Sequence, residues 1–144
     1  MKRLLIQNIG LLATPAGHEA RRGPAQGEIS MTKNAWLLAE DGVITASGTG
    51  VPPGCGTAQV LDAQGCLVTP GLVDAHTHLI FGGWRQNELG LKLHGVSYLE
   101  ILARGGGILS TVEATRAASE AALVQKALPE LETMLRWGTT TCEI

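Results

Sequence analysis

No run of like charge occurs anywhere in these 144 residues, and the formal net charge is only −2, with an isoelectric point near 6.1. Without a basic face, the chain lacks the electrostatic footprint for nucleic acid or an anionic membrane, which removes both as partners. Cysteine is scarce as well. Cys55, Cys66 and Cys142 are odd in number, widely spaced and free of any C-x-x-C pair. That usage suits reduced, structural thiols in a cytoplasm rather than a disulfide framework. No apolar run approaches the roughly 20 residues of a membrane span. Met1-Lys2-Arg3 with Leu4, Leu5 and Ile6 begins like a signal peptide. Gln7 and Asn8 interrupt it well short of the about 7 to 15 apolar residues that a signal needs. What the chain does have is 44 % hydrophobic content in 15.1 kDa, enough for a packed core, which argues against disorder.

The character of the sequence changes near residue 70. Before it, short apolar runs at Leu4–Ile9, Ala35–Ala39 and Val43–Ala46 alternate with turn residues and predict β structure. Asp41-Gly42 predicts a two-residue type I′ hairpin, which needs positive φ at both central positions, and a meander is expected to follow. Pro15–Ser30 and Gly48–Thr57, rich in Gly and Pro, are expected to be exposed loops. After the Pro70-Gly71 turn, residues 72–79 predict a strand. Ser97 with Glu100 fits a capping box for a helix through Ala103, stopped by Gly105-Gly106-Gly107, and Ser110 with Glu113 repeats the device. Val124, Leu128, Leu131 and Leu135 form the apolar stripe of a further helix. Pro129 predicts a kink or restart within it, and Gly138 its end. Thr139–Ile144 again has strand propensity, so the order strand, helices, strand matches the βα units of a parallel barrel.

Chemistry concentrates in His76 and His78. Two residues apart on a strand, both imidazoles would share one face and could approach one ion, zinc or iron suiting nitrogen donors better than calcium or magnesium. Taken alone, the H-x-H pattern is equally compatible with two polar side chains satisfied near a strand end. Asp74 would face the same side as an orienting carboxylate rather than a ligand. Arg85 on a glycine-flanked loop reads either as a surface cation or as a bidentate carboxylate partner, and Tyr98 either as core or as a hydrogen-bonding contact. His18 and His94 read as surface residues, and Glu113 with Arg116 as a solvated pair.

Val68-Thr69-Pro70-Gly71-Leu72-Val73-Asp74-Ala75-His76-Thr77-His78 resembles the first-strand signature of the amidohydrolase superfamily. Within it, the segments 81–85, 95–102, 105–112 and 114–119 resemble the imidazolonepropionases, and the likeness spans about residues 60 to 144. The resemblance implies an α/β protein with an all-β start. Residues 1–69 would belong to a small β-sandwich domain, and residues 70–144 would form the first βα units of a (β/α)₈ TIM-like barrel, truncated because such a barrel needs about 250 residues.

The resemblance also implies hydrolysis of 4-imidazolone-5-propanoate to N-formimidoyl-L-glutamate by metal-activated water, in histidine breakdown. His76 and His78 would be metal ligands, Arg85 and Tyr98 substrate contacts, and zinc or iron the metal. The base, the acid and the remaining ligands would lie on later strands, so these residues alone are expected to be inactive. A small-molecule substrate and a cytoplasmic setting follow, and a homodimer of the intact protein stays open. Two other readings remain: a different cyclic-amide amidohydrolase or deaminase, and a non-catalytic short product.

Overall fold

The computed structural model describes residues 2–17, 19–54 and 56–144, so His18 and Cys55 lie outside the described residues. Two compact units are present, Met1–Pro70 and Gly71–Ile144. No helix among the described residues is long and apolar enough to cross a membrane.

The first unit is one five-stranded sheet made of β1 (Arg3–Pro15), β2 (Ile29–Glu40), β3 (Val43–Thr49), β4 (Gln59–Asp62) and β5 (Leu67–Val68). β1, β2 and β3 form the expected antiparallel meander, and the β2–β3 turn is of the predicted kind, with φ 49° at Asp41 and 86° at Gly42. The meander stops there. β4 and β5 return to pair with β1 in parallel, Leu5 opposite Val60 and Leu12 opposite Val68, so the sheet is mixed. β1 runs further than its apolar run suggested because a bulge between Ile6 and Ile9, with Asn8 at φ 54°, resets its pairing with β2 and lets the ladder continue to Pro15. The expected loop from Pro15 is correspondingly shorter and holds a 3-10 turn over Gly23–Gly27. Ile9, Leu12 and Ala35 form the buried centre, with Ile6, Leu37, Ala63 and Val68 packed on it.

The second unit runs β6 (Leu72–Asp74), α1 (Asn87–Leu93), α2 (Tyr98–Ala103), α3 (Gly107–Ala117), α4 (Glu120–Arg136) and β7 (Thr139–Cys142). β6 and β7 pair in parallel, Asp74 opposite Cys142, which is the strand, helix, strand arrangement the sequence predicts. α2 is capped as expected, the Ser97 hydroxyl accepting from the Glu100 amide at 3.2 Å. Two expectations here need correction. The strand ends at Asp74, so His76 and His78 stand on the irregular segment behind it. Ser110 caps nothing: α3 already starts at Gly107, and the Ser110 hydroxyl donates to the Gly107 carbonyl at 2.9 Å. The cap comes from another helix, because the buried Glu88 carboxylate of α1 accepts from the Gly107 amide at 2.6 Å.

In α4 no restart occurs at Pro129, and the helix runs without interruption from Glu120 to Arg136. Its buried residue is Ala127, whereas Val124, Leu128 and Leu135 of the predicted stripe are exposed. The apolar arc of α4 is broad, with Leu123 and Ala127 toward one edge and Val124, Leu128 and Leu135 toward the other, and packing selects which edge is covered. α1 has no counterpart in the sequence reading, since seven residues interrupted by Gly90 carry too little periodicity.

Candidate metal and substrate site

His76 and His78 stand with their rings edge to face, 5.2 Å between centroids. The segment is turned by Asp74, whose carboxylate accepts from the His76 amide at 3.2 Å. Asp74 therefore shapes the backbone beneath the histidines rather than gripping an imidazole. Parallel pairing brings a residue the sequence reading passed over. The Glu143 amide donates to the Asp74 carbonyl at 2.9 Å, and its carboxylate lies 3.9 Å from His76 Nδ1. The register of β6 on β7 is what juxtaposes them, and only the pairing of the two predicted strands could have signalled it.

Two imidazoles with a neighbouring carboxylate have the donor chemistry of a zinc or iron site. Among the described residues, no group of three His, Cys, Asp or Glu side chains is gathered tightly enough to hold an ion. The residues present fit part of a metal site and leave coordination to be completed by other donors.

Beyond the histidines, residues 81–85 are fastened to two helices. From α3, the Thr115 hydroxyl accepts from the Gly82 amide at 2.8 Å while donating to the Thr111 carbonyl at 2.6 Å. From α4, the Lys126 ammonium donates to the carbonyls of Phe81 at 2.8 Å and Gly83 at 2.9 Å. The same ammonium lies 3.4 Å from the Phe81 ring centroid and 4.2 Å from that of Trp84. Loss of water lowers the Lys126 pKa below the ordinary 10.5, and the Glu130 carboxylate works against that shift. Lys126, absent from the sequence reading, thus holds the loop that presents Arg85.

Arg85 and His78 line one cavity of about 640 Å³, together with Trp84, Thr111, Thr115 and Arg116. The structure brings these residues together and leaves Tyr98 apart. Tyr98 opens α2 half exposed, its hydroxyl beside Gly107, and does not line this cavity. His94 is exposed at the end of α1, its Nδ1 2.7 Å from the Gly90 carbonyl. Cys66 and Cys142 are free thiols.

The model of the amidohydrolase family matches residues 59–136, more than half of the chain. The chain belongs to the amidohydrolase family. Enzymes of the amidohydrolase family are generally metal-dependent, which agrees with a histidine pair placed just past β6. The chain is also 48 % identical to the imidazolonepropionase of Bacillus velezensis over 141 residues, 97 % of this chain and 34 % of that protein. It is 47 % identical to the imidazolonepropionase of Caldanaerobacter subterraneus over 98 % of its own length, and 50 % identical to that of Bacillus cereus over 96 %. This amidohydrolase chain spans about a third of the length of the curated relatives it matches.

Proposed function

We propose that this chain is part of an imidazolonepropionase, a hydrolase that opens the ring of 4-imidazolone-5-propanoate at a carbon–nitrogen bond to give N-formimidoyl-L-glutamate. The observation that carries the reading is the shared cavity of His78 and Arg85, which sets a candidate metal ligand beside a candidate carboxylate ligand. Relatives of that name over nearly the whole chain support it.

His76 and His78 are the proposed ligands, zinc or iron the proposed metal, and the bound ion would supply Lewis acidity and make bound water more acidic. Arg85 offers a planar, permanently charged fork to the propanoate, which fixes the direction in which the ring enters. Phe81 and Trp84 give that ring an apolar wall. Lys126 and Thr115 hold the backbone of the loop that carries Arg85. Glu143, just past β7, would orient the His76 imidazole with its carboxylate. Tyr98 enters the proposal as a further substrate contact on the resemblance alone.

The test is ring opening by the protein made from its complete reading frame, with zinc or iron added. His76→Ala should remove bound metal and activity together. Arg85→Gln should raise KM for the propanoate substrate by about tenfold or more, as loss of a charge-assisted bidentate contact does. Turnover of a different cyclic amide or an amino-substituted ring, with imidazolonepropanoate untouched, would overturn the reading.

A further inference from the structure

The cavity beside His78 contains a second guanidinium that the reading above does not use. Arg116 stands in the last turn of α3 and lines the cavity together with Arg85. Its sequence neighbour Glu113 does not pair with it, although the described helices do form ion pairs at Glu100–Arg104 and Glu132–Arg136. A cation in the last turn is favoured by the helix dipole, which accounts for a basic residue at that place but not for its share in the cavity wall.

Among the described residues, no Asp or Glu lines the cavity. Thr111 and Thr115 have already given their hydroxyl protons to the carbonyls of Ile108 and Thr111. Apart from His78, the remaining walls, Phe81, Trp84, Ile108 and Val112, are apolar. Arg85 and Arg116, both exposed, therefore line one space with no carboxylate among its described lining residues, which leaves two permanent cations available to an entering anion.

We propose that Arg116 is a second carboxylate-binding residue of this cavity. Arg85 and Arg116 together take the carboxylate arm of a small ligand whose flat ring lies against Phe81 and Trp84. The inference rests on the function proposed above and deepens it, because it names a residue that selects acids over their neutral counterparts.

The experiment uses the protein from its complete reading frame and two stable probes, imidazole-4-propanoate and its uncharged propanamide, titrated by calorimetry. Wild type should prefer the acid. Arg116→Gln should weaken the acid by about tenfold while leaving the amide within about twofold, since only the acid offers an anionic acceptor. Arg116→Lys keeps the charge without the fork and should weaken the acid less, which keeps the inference testable if the glutamine variant folds poorly. Equal losses for both probes, or none, overturn it. Displacement of the acid by inorganic phosphate at matching concentration overturns the assignment to a carboxylate.

Ring opening by wild type separates the two readings. Turnover with an unchanged acid preference in Arg116→Gln sinks this inference alone. No turnover, with the preference lost in Arg116→Gln, sinks the proposed reaction and leaves the carboxylate site standing.

Discussion

Gly82 has no room for a side chain, because a Cβ there would come 2.4 Å from the Ala114 carbonyl oxygen on α3. The close approach lets its amide reach the Thr115 hydroxyl, and that contact aims Arg85. Gly82→Ala is expected to cost about 1–3 kcal/mol, the usual penalty of overpacking, and to weaken binding of imidazole-4-propanoate in calorimetry. Unchanged affinity would mean that the loop does not set Arg85. Lys126, on the other side of the loop, has a folded-state pKa lowered below 10.5 by loss of water. Between that lowered value and 10.5, the unfolded chain binds the proton more readily than the folded one, so stability rises with pH across this window. Lys126→Met should abolish that rise in thermal melts followed toward pH 10.5, whereas an unaltered profile would rule it out. Of the candidate site residues, His76, His78 and Arg85 were named from the sequence through the family resemblance, their types alone leaving plain polar or surface readings open. Lys126, Thr115 and Glu143 were not, because they act through contacts with segments distant in the chain.

At the scale of elements, the start of α3 depends on a carboxylate from α1. Glu88 is buried and accepts from the Gly107 amide, so Glu88→Ala would leave that donor without its partner. A loss of about 1–3 kcal/mol is expected, seen as a lower urea midpoint, and Glu88→Gln should lose less because its amide oxygen still accepts. A midpoint unmoved by alanine would show that the helix begins unaided. α4 poses the opposite case. Pro129 stands inside a continuous helix, where its ring and missing N–H cost about 3 kcal/mol. Pro129→Ala should raise stability by up to about that amount with an unchanged denaturant slope. Local signals located the Ser97 cap, the Gly138 stop and the Asp41-Gly42 turn, each of which is set by a few neighbouring residues. They misjudged Ser110, where a tertiary cap from Glu88 replaced a local one.

For the whole molecule, an apolar stripe is left uncovered, with Val124 49 %, Leu128 57 % and Leu135 62 % exposed along α4. Contiguous apolar surface of this kind promotes association. The 144-residue chain should therefore bind hydrophobic dye and self-associate in light scattering, and Leu128→Lys should reduce both; an unaltered scattering profile would place the association elsewhere. The sequence by itself determined the change from β to β/α structure near residue 70, the strand, helices, strand order behind it and the residue types of the candidate site. Those properties follow from local propensity, turn chemistry and side-chain identity, which neighbouring residues carry. Only the tertiary structure decided that β4 and β5 pair in parallel with β1, which side of α4 is buried, and that Arg116 joins Arg85 at one cavity. The physical reason is that pairing, burial and charge proximity are relations between residues far apart along the chain, and several arrangements satisfy the same local preferences until packing selects one.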